Sequence, residues 1–202
     1  MDVKKNSANI VSIVRVFVAF AAIWLLYYHS TLAYLWALAL TIIAFWMDGI
    51  DGYLARKWGN SNPLGAVMDI LCDRIVEASY WIAFAVLGWL PIIFPLICVA
   101  RAFTTDGIRS VALSQGMTAF GESSMQSTSW GKFICSSRTM RGSYAVAKAG
   151  AFFLLILAYT PYFTAQTAAV INNVAVVLAW VAIVFCVVRA IPVVAESGKL
   201  FK

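Results

Sequence analysis

Six apolar runs, each about long enough to cross a bilayer as a helix, divide this chain and restrict its possible folds more than anything else in it. They fall near residues 10–28, 32–50, 64–88, 91–113, 145–160 and 169–190. About 20 helical residues at 1.5 Å each cross a hydrocarbon core of ~30 Å. The breaks are His29-Ser30-Thr31, the polar stretch after Gly52, Gly88–Pro91, a long polar segment near 114–144, and the loop around Pro161. Composition agrees: 62% of the 202 residues are hydrophobic and 12% are charged. A soluble domain carries about 25% charged residues. The expectation is a single domain over residues 1–202, an all-α integral membrane protein with six transmembrane helices. The N-terminal segment MDVKKNSAN resembles the start of a signal peptide. Its apolar run is long and five more follow, so it reads as a retained span.

Lysine and arginine placement gives an orientation. Lys4 and Lys5 precede the first run, and Arg56 and Lys57 follow the second. Lys132, Arg138, Arg141 and Lys148 are assigned to the long connection, and Lys199 and Lys202 end the chain. The alternate connections, near 29–31, 88–91 and 160–168, contain neither residue. Both termini and the loop between the second and third runs are therefore expected on the cytoplasmic side of the cell (inner) membrane. Trp24, Tyr27, Tyr28, Tyr34, Trp36, Trp89, Tyr159 and Tyr162 then read as an aromatic belt at the far interface. The net charge of +6 reports topology and contact with anionic lipid or phosphate-bearing substrate, and does not point to nucleic acid. Cys72, Cys98, Cys135 and Cys186 lie far apart without a metal-binding pattern and read as buried small apolar residues. The sole histidine, His29, reads as an interfacial polar residue.

Residues 48–73, DGIDGYLARKWGNSNPLGAVMDILCD, hold four of the nine acidic residues: Asp48, Asp51, Asp69 and Asp73. Ionisable groups inside a membrane are costly and mark function by default. The i, i+3 and i, i+4 spacings put each pair on one helix face. Gly49, Gly52, Ala55 and Gly65 keep the intervening backbone slim enough for close approach of a bulky ligand. The rise per residue places the four carboxylates around a cavity roughly 5–15 Å below the cytoplasmic surface. Dense hard oxygen ligands suit Mg²⁺, Mn²⁺ or Ca²⁺ rather than zinc, and a pair of such ions would clamp a phosphoryl group.

The full pattern D-x2-D-G-x2-A-R-x8-G-x3-D-x3-D is present as Asp48, Asp51, Gly52, Ala55, Arg56, Gly65, Asp69 and Asp73. It resembles the signature of the CDP-alcohol phosphotransferases. That resemblance implies metal-dependent transfer of a phosphatidyl group from a CDP-linked lipid, such as CDP-diacylglycerol, to an alcohol, with release of CMP. It implies that Asp48, Asp51 and Asp69 hold two Mg²⁺ or Mn²⁺ ions, and that Asp73 deprotonates the acceptor hydroxyl or completes the metal site. Gly52, Ala55, Arg56 and Gly65 would shape the cytidine and pyrophosphate pocket beside Asp51 and Asp69. A homodimer is implied as well.

For the acceptor, Arg101 lies roughly 15 Å into the fourth run, near the bilayer midplane, with Arg109 eight residues on. Guanidinium forks match phosphate, and the bland alternative pairs Arg101 with Glu77 or Asp106. Arg101 to Arg109, followed by Trp130-Gly131-Lys132, is similar to the phosphatidylglycerophosphate synthase subgroup, as is Asn9 to Arg15. Glycerol 3-phosphate is then the first expected acceptor, with Arg101, Arg109 and Lys132 on its phosphate. Two departures stand out: Ala102 occupies a position where glutamate is expected, and the segment after Lys132 adds Arg138 and Arg141. Cys72-Asp73-Arg74 looks more like the inositol-phosphate-using subgroup, which gives the alternative acceptor. From another class, a cation transporter would also explain carboxylates in a membrane. The Gly-Ala-Arg framework and the crowding of all four acids on one side argue against it.

Overall fold

The computed structural model describes residues 3–57, 63–117, 126 and 128–198; the side chains of Asp51, Arg56 and Arg138 lie outside that description. Among the described residues seven helices follow one another: α1 (Val3–Leu26), α2 (Thr31–Lys57), α3 (Pro63–Val86), α4 (Ile93–Ser114), α5 (Ser129–Ser136), α6 (Arg138–Ala158) and α7 (Ala165–Glu196). No strand occurs among the described residues.

Among the described residues four segments are long and apolar enough to cross a membrane: Asn9–Leu26, Thr31–Gly49, Ser129–Ala158 and Ala165–Glu196. Helices α3 and α4, at 24 and 22 residues, are also of spanning length. Asp69, Asp73, Arg74 and Glu77 on α3, and Arg101, Asp106 and Arg109 on α4, lower their hydropathy. The side chains that make these two helices poor spans by composition are the ones that build the site below.

The long polar segment 114–144 departs from the reading of a connection. Thr128 caps α5 by accepting from the Gly131 N–H at 3.2 Å, and Ser137 caps α6 by accepting from the Met140 N–H at 3.1 Å. Hydroxyl residues at these positions satisfy orphan amides and start helices. As a result α6 begins seven residues before the expected 145. Lys132 lies on α5, and Arg141 and Lys148 lie on α6 rather than in a loop. Residues 118–125 and 127 are outside the described residues.

Helix α1 packs on α2 and α3, α6 on α7, and α4 on α3 and α7; α5 rests on α6 and α7. Small residues make these approaches close, as where water is not the solvent: Ala19, Ala22, Ala37, Ala175, Ala179 and Ala182 are fully buried. On α6 a Cβ at Gly150 would stand 3.1 Å from Leu178 Cδ1. Ala145 is exposed, and Ala147 and Ala151 take the buried face of α6.

The aromatic belt also divides. Trp24, Tyr28, Trp36 and Tyr162 are exposed, whereas Tyr34 and Trp89 are buried. Trp89 stacks on Tyr159 with centroids 4.3 Å apart and on Phe84 at 5.5 Å, and meets Tyr34 at 5.9 Å. His29, in the α1–α2 turn with φ 49°, holds the Tyr34 hydroxyl at 3.1 Å through Nδ1. All four cysteines are buried thiols outside any disulfide.

Candidate active site

Helix α2 brings Asp48, and α3 brings Asp69 and Asp73 one turn apart, to the end of the bundle opposite the aromatic stack. One carboxylate oxygen from each lies within 4.8 Å of the others. Three carboxylates this close repel one another unless a cation stands among them. Arg15 of α1 supplies one: its guanidinium donates to Asp48 Oδ1 and to Asp73 Oδ1, the latter at 2.6 Å, and its Nη2 stands 3.8 Å from Asp69 Oδ1. The Arg15 side chain is 2% exposed, while the three aspartates are about half exposed, at 52%, 49% and 47%. The carboxylates thus remain open at this end of the bundle while their positive partner reaches them from inside it.

These residues fit a divalent ion. Their donors are all carboxylate oxygens, the set preferred by Mg²⁺, Mn²⁺ and Ca²⁺. Two ligands on opposite sides of a Mg²⁺ ion stand about 4.2 Å apart. The observed spread, within 4.8 Å, is close to that span.

A small cavity of about 30 Å³ joins the cluster to a second set of charges, being lined by Arg15, Ala44, Phe45, Asp48, Asp73, Val76, Glu77 and Lys148. Glu77, one turn beyond Asp73, is 3% exposed. It accepts from the Tyr144 hydroxyl and pairs with Lys148 Nζ and Arg74 Nη1, each at 3.4 Å. Arg74 Nε donates to Asp106 Oδ2 at 3.0 Å, and Arg109 Nη1 is 4.0 Å from Asp106 Oδ1. Arg101, Arg109 and Arg74 are near enough to Arg189 of α7 for each to feel its charge. In this belt five cations, Arg74, Arg101, Arg109, Lys148 and Arg189, face two carboxylates, Glu77 and Asp106. Such an excess inside a low-dielectric bundle favours a bound anion.

The structure brings Asp48, Asp69 and Asp73 together. Asp51, Gly52, Ala55 and Arg56 fall on the last turns of α2, where side chains lie outside the described residues. Gly65 approaches α1, where a Cβ would meet Asn9 Oδ1 at 2.9 Å. A larger residue there would oblige the Asn9 side chain to turn away. Arg101 is buried, at 7% exposure, and its Nε has no hydrogen-bond partner among the described residues; Arg74, not Arg101, holds both Glu77 and Asp106. Arg109 lines a different cavity, of about 170 Å³, with Val67, Ile70, Asp106, Ser110 and Leu113. Lys132 and Arg141 are exposed on α5 and α6, and the Arg138 side chain is outside the described residues.

Sequence reasoning missed Arg15, Arg74, Glu77, Tyr144, Lys148 and Arg189 as members of the site. The signal for four of them was present. Arg15, Arg74, Glu77 and Arg189 are charges inside apolar runs, the criterion that singled out Arg101. Lys148 was hidden by its assignment to a connection, and nothing in the local pattern distinguishes Tyr144.

Residues 5–188 match the CDP-alcohol phosphatidyltransferase family, and the chain belongs to that family. Among its relatives, the archaetidylinositol phosphate synthase of Aeropyrum pernix is 28% identical over 87% of this chain and 78% of its own length. The phosphatidylinositol phosphate synthase of Mycobacterium marinum is 31% identical over 37% of this chain and 34% of that protein. The CDP-diacylglycerol–glycerol-3-phosphate 3-phosphatidyltransferase of Rickettsia prowazekii is 29% identical over 54% of this chain and 60% of that protein. The chain thus spans between a third and four-fifths of the length of these relatives.

Proposed function

We propose that the protein transfers a phosphatidyl group from a CDP-linked lipid such as CDP-diacylglycerol to a phosphorylated polyol, releasing CMP. The observation that carries this reading is the convergence of Asp48, Asp69 and Asp73 within 4.8 Å beside a belt of buried cations. Asp51 joins the metal set by its place in the motif. The proposed cofactor is a pair of Mg²⁺ or Mn²⁺ ions, which when bound would neutralise the pyrophosphate and draw electron density from the phosphorus under attack. Gly52, Ala55, Arg56 and Gly65, with Asp51 and Asp69, are assigned to the nucleotide side. Asp73, at the cavity wall, takes the proton from the acceptor hydroxyl as its oxygen bonds to phosphorus and the bond to CMP breaks. Arg15 holds Asp48 and Asp73 at a fixed separation through this step.

Arg101, Arg109, Arg74 and Arg189, with Lys132, Arg138 and Arg141 nearer the aqueous end, are assigned to the acceptor's phosphate. Glycerol 3-phosphate is the first acceptor on the Arg101–Arg109 and Trp130-Gly131-Lys132 segments. Inositol phosphate is the second reading, favoured by the relative aligned over 87% of this chain and by Arg74. The proposed setting is a cell (inner) membrane crossed six times. Both termini and the aspartates lie on the cytoplasmic side, where a nucleotide-linked donor and a soluble acceptor arrive, and two copies associate as a homodimer.

The test is CMP release by purified protein with CDP-diacylglycerol, Mg²⁺ or Mn²⁺, and a panel of glycerol 3-phosphate, inositol phosphate and serine. Release that requires metal and a phosphorylated acceptor is the expected result. Silence with every acceptor would sink the proposal and return attention to cation transport.

A further inference from the structure

Glu77 presents an unusual case: a carboxylate that neither the metal cluster nor the acceptor belt needs for charge. It is buried to 3% exposure and carries no unsatisfied oxygen. From α3 it engages Arg74 on its own helix and Lys148 on α6, both at 3.4 Å. The Tyr144 hydroxyl holds its other oxygen. The Tyr144 ring in turn lies under Lys148 Nζ at 5.2 Å and under the Arg189 guanidinium at 5.5 Å. One carboxylate therefore fixes two cations directly and, through a ring, touches a third from α7.

Stability alone does not explain this arrangement. A buried ion pair is often no better than apolar packing of the same volume, and an acidic group beside a phosphate-binding belt weakens the belt's attraction for anions. What Glu77 supplies is geometry. Without it Lys148 and Arg74 repel each other and each gains rotamers. With it, Lys148 is held on the wall that Glu77 shares with Asp48 and Asp73.

We infer that Glu77 is a positioning residue for the acceptor: it holds Lys148 and Arg74 in the arrangement that receives the acceptor's phosphate next to the aspartates. This rests on the phosphorylated-acceptor reading above. The sign of one substitution separates positioning from plain electrostatics. Removing a negative charge by Glu77→Gln tightens anion binding if Glu77 is only a nearby charge. It weakens anion binding if Glu77 orients the cations.

The experiment uses full-length protein in detergent with Mg²⁺: wild type, Glu77→Gln and Tyr144→Phe. The first readout is the rise of the melting midpoint on titration with inorganic phosphate, which needs no turnover. The half-saturating phosphate concentration increases about tenfold in Glu77→Gln and about threefold in Tyr144→Phe. The second is CMP release, where the acceptor KM rises in parallel and the CDP-lipid KM stays within about twofold. An unchanged or lower phosphate requirement in a folded variant overturns the inference, as does a wild type that phosphate does not stabilise. If Glu77→Gln fails to fold, Tyr144→Phe decides by the same measure. Phosphate binding that depends on Glu77 without CMP release from the wild type would instead remove the phosphotransfer reading and leave the positioning role standing.

Discussion

At the end of the bundle where α1 turns into α2, α3 into α4 and α6 into α7, Trp89 lies against Tyr159 with ring planes 5° apart, and Tyr34 and Phe84 close around it. At the opposite end the same helices bury Arg15, Glu77 and Arg101. The aromatic end is satisfied by its own rings: dispersion and area burial fix it, and the Tyr34 hydroxyl is met by His29. The charged end leaves carboxylates half exposed and cations in excess over the carboxylates beside them, an arrangement suited to ligands of both signs. One end is built to be stable and the other to bind. In a chain of this size they are separated mainly by the length of the helices.

The largest effect that follows from this division is loss of turnover without loss of fold. Asp69→Asn and Asp73→Asn each lower CMP release at least about 10³-fold, since a metal ligand or base is lost. Melting in metal-free detergent stays close to wild type, because Arg15 retains its remaining partners. Activity above about a tenth of wild type in either variant would mean that these carboxylates do not carry the chemistry.

The mirror-image perturbation is Trp89→Ala, which empties the stack at the far end. Its expected cost is about 3–5 kcal/mol of stability, the usual penalty for truncating a buried Trp. Below the melting transition the KM values for donor and acceptor are unchanged. A shifted acceptor KM in this variant would show that the two ends are mechanically coupled, and the comparison would have to be redrawn.

How much of this was legible follows from what each feature depends on. Span positions and the aspartate set rest on local composition and spacing, and 48–73 carries both in one stretch; i, i+4 geometry pairs Asp69 with Asp73 on α3, and the packing of α2 against the bundle brings Asp48 to them. The start of α6 was misjudged because Ser137 and Thr128 act as caps inside a segment whose Ser, Gly and Thr content reads as loop. Tyr34 and Trp89 were assigned to a lipid-facing belt because an aromatic residue near a helix end looks the same whether its ring meets headgroups or other rings. Arg15 and Glu77 were, like Arg74 and Arg189, avoidable omissions. Both are charges within apolar runs, but each was read as part of a neighbouring motif or as a possible partner instead of being asked what buries it.

Arg15 also gives the smallest of these effects and the one that bears most closely on the metal site. Its side chain is 2% exposed against three carboxylates about half exposed, so it serves as the cluster's internal counter-charge. Arg15→Gln leaves Asp48, Asp69 and Asp73 facing one another and costs about 2 kcal/mol in EDTA, below the value for a fully buried pair because water screens the carboxylates. A divalent cation entering the cluster replaces the missing charge, so millimolar Mg²⁺ or Mn²⁺ returns most of that stability and raises the variant's melting midpoint more than that of the wild type. Melting curves of both proteins with EDTA and with each metal make the measurement. A deficit that persists in metal would show that Arg15 is only a packing element of α1 and that the three aspartates hold no ion. A deficit that metal erases ties the guanidinium and the cation to the same electrostatic work, one reaching the cluster from inside the bundle and the other from water.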